Sequence, residues 1–455
     1  MTPQPRARRV RHAVMPPRRV AAGRGKCNNV ASFPGLAGAG SFRCIRPTLP
    51  RVRKVPMSDT PFSFKKIAIP AFGPSLLFGT GKGAILPVIA LSARDLDASV
   101  AVASLIVGLI GIGSLFSNIP AALIIARYGE RLSMVGAAAM SVLGLVLCLL
   151  PASVWLLALG VLLIGMAQSV FFLARQTYLI EAVPIHLRAR AMSTLGGTMR
   201  IGVFVGPFLG AALMHFMGLA GAYWTAIVMM LGTGLLASLI PDVAGQKGGP
   251  KGAGSDAPGM IRLARSHIKV FATIGFGILL VSGLRASRQI IIPLWADSLG
   301  LSPAATSIIF GLVAAIDMLA FYPAGKAMDQ RGRRWVAVPS AIIMGVSLVL
   351  IPATGGIISF LIVSMMMGLG NGIGSGLVMT LGADASPSVG RTQFLGIWRL
   401  ISDIGASGAP VLLSAITAAA SLAAASIAAG FMGFMAAGVF LRWLPRTVQA
   451  RVRGR

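Results

Sequence analysis

The chain is 455 residues long, 55% hydrophobic and only 12% charged, with a mean hydropathy of +0.81. A water-soluble domain carries about 25% charged residues, so that class is excluded; the formal net charge of +29 reads as topogenic charge and attraction to anionic lipid, because no folded basic domain is left to bind nucleic acid. Three cysteines, Cys27, Cys44 and Cys148, imply no disulfide framework.

Residues 1–56 hold thirteen Lys or Arg and no acid. Such a stretch cannot bury a core, and it has no apolar run of signal-peptide length. Residues 1–64 therefore read as a disordered basic extension. Met57-Ser58-Asp59 looks like an ordinary start, with a lipid-binding tail and a transit peptide as the competing readings. Crossing a bilayer takes about 20 apolar residues. Twelve stretches qualify, at roughly 67–92, 99–124, 132–151, 153–180, 192–217, 220–240, 268–296, 302–325, 335–354, 356–383, 392–418 and 420–443. Lys and Arg gather in alternate loops, so the positive-inside rule puts both termini in the cytoplasm with an even number of spans; the membrane expected is a bacterial inner membrane.

Lys82 falls in the first span, and the loop after the second carries Arg127, Gly129, Glu130 and Arg131. The fourth span holds Gln168 and Arg175 and ends at Glu181-x6-Arg188. The fifth holds Arg200 and then Gly202-x3-Gly206-Pro207-x2-Gly210-Ala211, with His215 near its outer end. Residues 241–266, rich in glycine and basic residues, read as a flexible cytoplasmic linker between a bundle at 65–240 and one at 267–444. Other connections are short, which predicts that sequential helices are antiparallel neighbours. Arg285 and Arg288 share a face of the seventh span, and Asp317 lies in the eighth. The loop after the eighth reads Gly325-Lys-Ala-Met-Asp329-Gln-Arg-Gly332-Arg333-Arg334. Asn371 is in the tenth span, which ends at Asp384-x6-Arg391. Arg399 and Asp403 sit four apart in the eleventh, and residues 445–455 form a basic cytoplasmic tail. Trp155, Trp295, Trp335 and Trp443 fall near span ends, where amphipathic rings favour the interface.

The second half repeats the first at an offset of 203 residues. Gly129 returns as Gly332, Gly165 as Gly368, Gln168 as Asn371, Glu181 as Asp384, Arg188 as Arg391 and Pro207 as Pro410. In a membrane chain this predicts an all-α protein of twelve transmembrane helices in two pseudo-symmetric six-helix bundles facing a central cavity.

The loop from Gly325 to Arg334 resembles the signature loop of the major facilitator superfamily, whose pattern is close to G-x3-D-x2-G-R-R. There Gly325 should let two helices approach, Gly332 should allow a tight turn, Asp329 should meet an Arg or a helix terminus, and Arg333 and Arg334 should face the cytoplasm and lipid phosphates. The first-half copy has Ala126 in place of the acid. The acid-to-Arg elements at Glu181 and Asp384 resemble those at the cytoplasmic ends of the fourth and tenth helices of the family, where they can pair with the basic loops and act as a cytoplasmic gate. The Gly202–Ala211 segment resembles the fifth-helix motif of its drug:proton antiporters. The resemblance spans about residues 65–445.

The resemblance implies that helices 1, 4, 7 and 10 line the cavity, and that helices 5 and 8, and 2 and 11, meet between the bundles. Lys82, Gln168, Arg175, Arg285, Arg288 and Asn371 are then substrate-site candidates. Arg200 with Asp317, and Arg399 with Asp403, are candidate pairs or proton-coupling groups. A charge inside a span costs about 2.5–3.5 kcal/mol, so each should face protein or water. Asp317 and Asp403 are the only acids well inside spans. No P-loop or metal-ligand cluster occurs, so no cofactor, metal or enzymatic activity is expected. The partners expected are a small-molecule substrate, protons and membrane lipid, with no nucleic acid and a monomeric chain. The reading favoured from sequence is proton-coupled efflux of a small organic molecule, carried by the fifth-helix motif. The basic cavity points to symport uptake of an organic anion, and a non-transporting receptor of the same fold is the third reading.

Overall fold

In a computed structural model, residues 64–150, 153–183, 187–240, 260–387 and 390–445 are described. The extension before Phe64, most of the linker and the end of the tail lie outside them, as do the side chains of Glu181 and Arg188. The described residues are helical, with no strand.

The first bundle comprises α1 (Phe64–Ile85), α2 (Val88–Asp95), α3 (Val100–Leu149), α4 (Val154–Ala182), α5 (Arg188–Met217) and α6 (Ala220–Ser238). The second comprises α7 (Met260–Ser266), α8 (Ile268–Val270), a π-helical turn at Phe271–Gly275, α9 (Phe276–Ser298), α10 (Pro303–Arg331), α11 (Arg334–Leu350), a 3₁₀ turn at Ile351–Ala353, α12 (Ile357–Ile373), α13 (Leu377–Ala385), α14 (Arg391–Ala419) and α15 (Leu422–Trp443). Eleven helical stretches among the described residues are long and apolar enough to span a membrane. The 50-residue α3 holds two of the expected spans, because it breaks at Gly129. Twelve membrane segments result.

Several expected boundaries shift for local reasons. The first span is broken after Ile85, where Pro87 interrupts the helix, and resumes as α2. The tenth is broken at 374–376, where glycines at 368, 370, 372, 374 and 376 weaken the helix interior. The region read as linker ends early, since Met260–Ser266 is helical.

The offset of 203 recurs in three dimensions. Gly129 has φ 78° and Gly332 has φ 99°, a region only glycine occupies without strain. A Cβ on Gly202 would overlap the Leu76 carbonyl, and one on Gly405 the Leu279 carbonyl; Gly165 and Gly368 stand in the same way against Ile110 and Val313. Each of these is a matched pair at 203. They bring α5 onto α1, α14 onto α9, α4 onto α3 and α12 onto α10 through backbone-to-backbone approach, the usual mode of helix association in lipid. The caps match too: Ser99 Oγ accepts from Val102 N and Ser302 Oγ from Ala305 N.

This packing corrects one expectation. Sequential helices are not the main neighbours throughout: α1 packs on α5 and α6, and α9 on α14 and α15. Small-residue faces choose the partners, whereas short loops only limit the reach. Between the bundles, α3 meets α14 and α5 meets α10. Phe116, Ile119 and Trp155 are 72%, 77% and 84% exposed, as surfaces that face acyl chains would be.

Candidate functional site

Asp317 is the hub. It is the fifteenth of the 29 residues of α10, near mid-helix. Arg200 of α5 places Nη1 3.4 Å from Oδ1, and Arg288 of α9 places Nη2 3.9 Å from Oδ2. Asn371 of α12 donates from Nδ2 to Oδ2 at 2.5 Å. Arg200 also donates to Ser375 Oγ and lies 4.4 Å from the Phe321 ring centroid. At the break between α12 and α13, the Gly374 carbonyl accepts from Arg285 Nη2. The Arg200–Asp317 contact crosses from one bundle to the other. Only Arg200, 32% exposed against 16% for Asp317 and 10% for Arg288, is substantially open to solvent.

Two further cations, on the first bundle, lie against aromatic rings. Arg175 of α4 lies 5.2 Å from the Phe172 centroid and 5.8 Å from that of Phe171, and Lys82 of α1 lies 5.7 Å from Phe172. Phe78 stacks on Phe171 at 4.1 Å. Arg288 lies 5.7 Å from Phe310. Arg175 Nε and Nη1, Arg288 Nε and Nη1, and Arg285 Nε are buried with no hydrogen-bond acceptor among the described residues. Buried donors without acceptors are costly, about 1–3 kcal/mol each and more for charged groups. Gln168 is half-buried on α4 and joins neither Asp317 nor Asn371 by a hydrogen bond.

A second polar node lies where α3 meets α14. Asn118 Nδ2 donates to Asp403 Oδ2 at 3.1 Å, and Ser169 Oγ of α4 donates to Asn118 Oδ1 at 2.6 Å. Arg399 Nε is 3.9 Å from Asp403. Asp403 is the 203-offset counterpart of Arg200, so each bundle contact carries one charge at an equivalent place, with opposite signs. Asn118, Ser169 and Ser375 were not singled out from sequence. Asn118 had a signal: it is an amide inside an apolar span, and the burial argument applied to charges extends to it.

The two ends of the bundle pair differ. On the side away from the Gly129 and Gly332 turns, Arg94 Nε of α2 pairs with Asp297 of α9 at 3.3 Å, and these are again 203-offset counterparts. Behind them Ile89, Ala90, Ile291 and Ile292 are fully buried. On the basic side, Arg333 Nε bonds Asp384 at 2.9 Å and Nη1 bonds Asp329 at 3.1 Å. Burial pulls the Arg333 guanidinium down, but the carboxylates of Asp384 and Asp329 outweigh it and hold the group above its ordinary value. Arg333 is thus turned to these carboxylates instead of to lipid phosphates, since two charged acceptors lie within reach. Arg334 is half-buried. Gly325 does not serve a close approach here: a Cβ there would meet nothing within 4 Å. Arg127 is exposed and lies beside the Tyr128 ring, Arg131 is half-buried and Arg391 is exposed. The expected gate roles of Glu181 and Arg188 fall on side chains outside the described residues. His215 is exposed.

In α5, Gly202 and Gly206 press on the backbone of α1, whereas a Cβ on Gly210 would make ordinary contact with Ala84. Pro207 lies within the helix. The same packing at Gly405 in α14 makes this a device of the duplicated fold.

A family model described as Major Facilitator Superfamily matches residues 75–284 and 274–455. No curated protein sequence matches. Among solved structures, the crystal structure of a D-xylose-proton symporter is similar with a TM-score of 0.67 at 16% identity, over 85% of this chain and 99% of that one. A POT family transporter in complex with a thioalcohol-conjugated peptide is similar with a TM-score of 0.66 at 12% identity, over 83% of this chain and 95% of that one. The matched segments span the helices that build both polar nodes, and the chain belongs to the Major Facilitator Superfamily as an integral, multi-pass membrane protein and secondary transporter.

Proposed function

We propose that this transporter carries a small organic anion, coupled to protons, by rocking the two bundles about the Asp317 site. The observation that carries the reading is the set of buried guanidinium donors on Arg175, Arg285 and Arg288 that have no acceptor among the described residues. Arg200, Arg285 and Arg288 stand around the carboxylate of Asp317, and Lys82 and Arg175 add two cations on the first bundle. A carboxylate or phosphate group offers the planar acceptors that guanidinium forks bind, and Phe171, Phe172 and Phe310 offer apolar contact for the rest of the molecule. Asp317 holds Arg200 and Arg288 in place and keeps the unliganded site from carrying only positive charge.

Symport is the direction favoured. Moving one elementary charge across 100 mV involves about 2.3 kcal/mol, and a proton travelling with a monoanion cancels that term. Proton-coupled efflux is the second reading; its support is the Gly202-x3-Gly206-Pro207 element. In this reading the basic loops face the cytoplasm of a bacterial inner membrane and the chain acts as a monomer.

The test is thermal stability of the purified protein against a library of organic carboxylates, phosphates, neutral sugars and cationic drugs, followed by flux of any hit in proteoliposomes under an imposed pH gradient. A ligand at 100 times its Kd adds about 2.7 kcal/mol. The expected hits are anions, lost in R285M/R288M. Stabilisation by cations or neutral sugars alone would overturn the reading. Uptake driven by an acid exterior supports symport, and expulsion driven by the same gradient supports efflux.

A further inference from the structure

We infer that Asp403, and not Asp317, is the carboxylate that binds the coupled proton, and that Asn118 and Ser169 form the relay that reads its charge. This deepens the proton coupling proposed above and rests on that part of it. The two intramembrane acids differ in the chemistry of their neighbours. Asp317 faces Arg200, Arg288 and Asn371, with Arg285 close by. Arginine is a donor only and does not lose its proton in proteins. Protonating Asp317 would leave guanidinium groups without a counter-charge, so it stays a carboxylate throughout the cycle.

Asp403 has the half-exposed Arg399 beside it, and its hydrogen-bond partners are neutral groups that can reverse. Asn118 and Ser169 each both donate and accept. With Asp403 ionised, Ser169 O–H donates to Asn118 Oδ1 and Asn118 N–H donates to Asp403, which is the arrangement observed. When a proton adds to an Asp403 oxygen, the Asn118 amide turns over: Asp403 O–H donates to Asn118 Oδ1, and Asn118 N–H donates to Ser169 Oγ. Each heavy atom of the trio keeps a partner, and the Ser169 hydroxyl hydrogen swings away from Asn118 as its oxygen becomes the acceptor.

The charges facing Asp403 are few. On its own helix there is Arg399, whose side chain is 53% exposed and which sits 3.9 Å away. From α3 and α4 come the neutral Asn118 and Ser169. From α9, Ser282 bonds Ser402, while Arg285 and Arg288 turn to Gly374 and Asp317. The short helices α7 and α8 carry Arg262, Arg265 and Lys269 close in sequence to the start of the second bundle, and α15 contributes Arg442 at its last turn, beside Trp443. Arg399 can follow water when Asp403 is neutralised, an escape that the buried Arg288 lacks.

The location turns the proton into a signal. Asn118 and Ser169 belong to the first bundle and Asp403 to the second. A hydrogen bond to an ionised acceptor is about twice as strong as a neutral one, so protonation loosens this one bundle contact while the Arg200–Asp317 contact keeps its charge.

The experiment is infrared difference spectroscopy of the full chain in liposomes, stepped between alkaline and acid pH with no organic substrate added. The wild type should show a protonated carboxyl C=O band that D403N removes and D317N retains. N118L keeps Asp403 and should move that band to higher frequency, because the protonated group loses its acceptor. Persistence of the band in D403N, its loss in D317N, or an unmoved band in N118L would overturn the assignment. Failure to find a transported anion would leave these spectra intact, and a failed spectrum would leave the anion site standing, so the two proposals fail separately.

Discussion

Asp317 joins four helices through one carboxylate. Removing one partner of a buried ion pair costs about 3–5 kcal/mol, because the other charge is left uncompensated. D317N is therefore expected to lower the melting temperature of the purified protein strongly, and D317N/R288M to recover part of the loss; equal melting temperatures for wild type and D317N would contradict the hub. The Arg94–Asp297 pair is different in kind. Both side chains are 37% exposed, and such a pair contributes about 0.2–1 kcal/mol. That is small for folding but enough to change the ratio of closed to open far mouths up to about fivefold. R94D and D297R should each alter flux, and R94D/D297R should return it toward the wild-type rate. A double variant no better than the worse single would show that the pair does not act as a latch.

Among the elements, the close helix contacts rest on glycines whose neighbours are backbone atoms and cannot move aside. G202A and G405A should each cost about 1–3 kcal/mol through overpacking. G325A should leave stability unchanged, since nothing stands near that position. Thermal melts of the three variants check this, and a destabilised G325A beside a neutral G202A would reverse the argument. The contrast shows what the sequence can and cannot say about elements. The 203 offset made the two-bundle fold legible, because matched glycines and caps recur at matched contacts. Charges in spans were legible because each is expensive in lipid. The breaks at 86–87 and 374–376 were harder to see, because a hydropathy average over the length of a span smooths out a dip of two or three residues. Gly325 misled because a motif records a residue and not its surroundings. Asn118 and Ser169 escaped because the burial argument was applied to charges alone, and only the fold shows that they converge on Asp403.

As a whole, the molecule is two six-helix bodies that touch along α3–α14 and α5–α10, each contact holding one charged node near mid-helix. The proposed rocking would open one end of the bundle contact as it closes the other. The duplication supplies matched reporter positions: Asp97 and Gly300 on the far turns, Tyr128 and Arg331 on the basic turns, all exposed and each pair 203 apart. The most direct test is pulsed-EPR distance measurement between spin labels at each of these pairs in liposomes, in the wild-type background and with the far latch removed by D297A. Rocking about the Asp317 site predicts that the 97–300 distance lengthens in D297A while the 128–331 distance shortens. Two distances that stay fixed, or that change in the same direction, would contradict it.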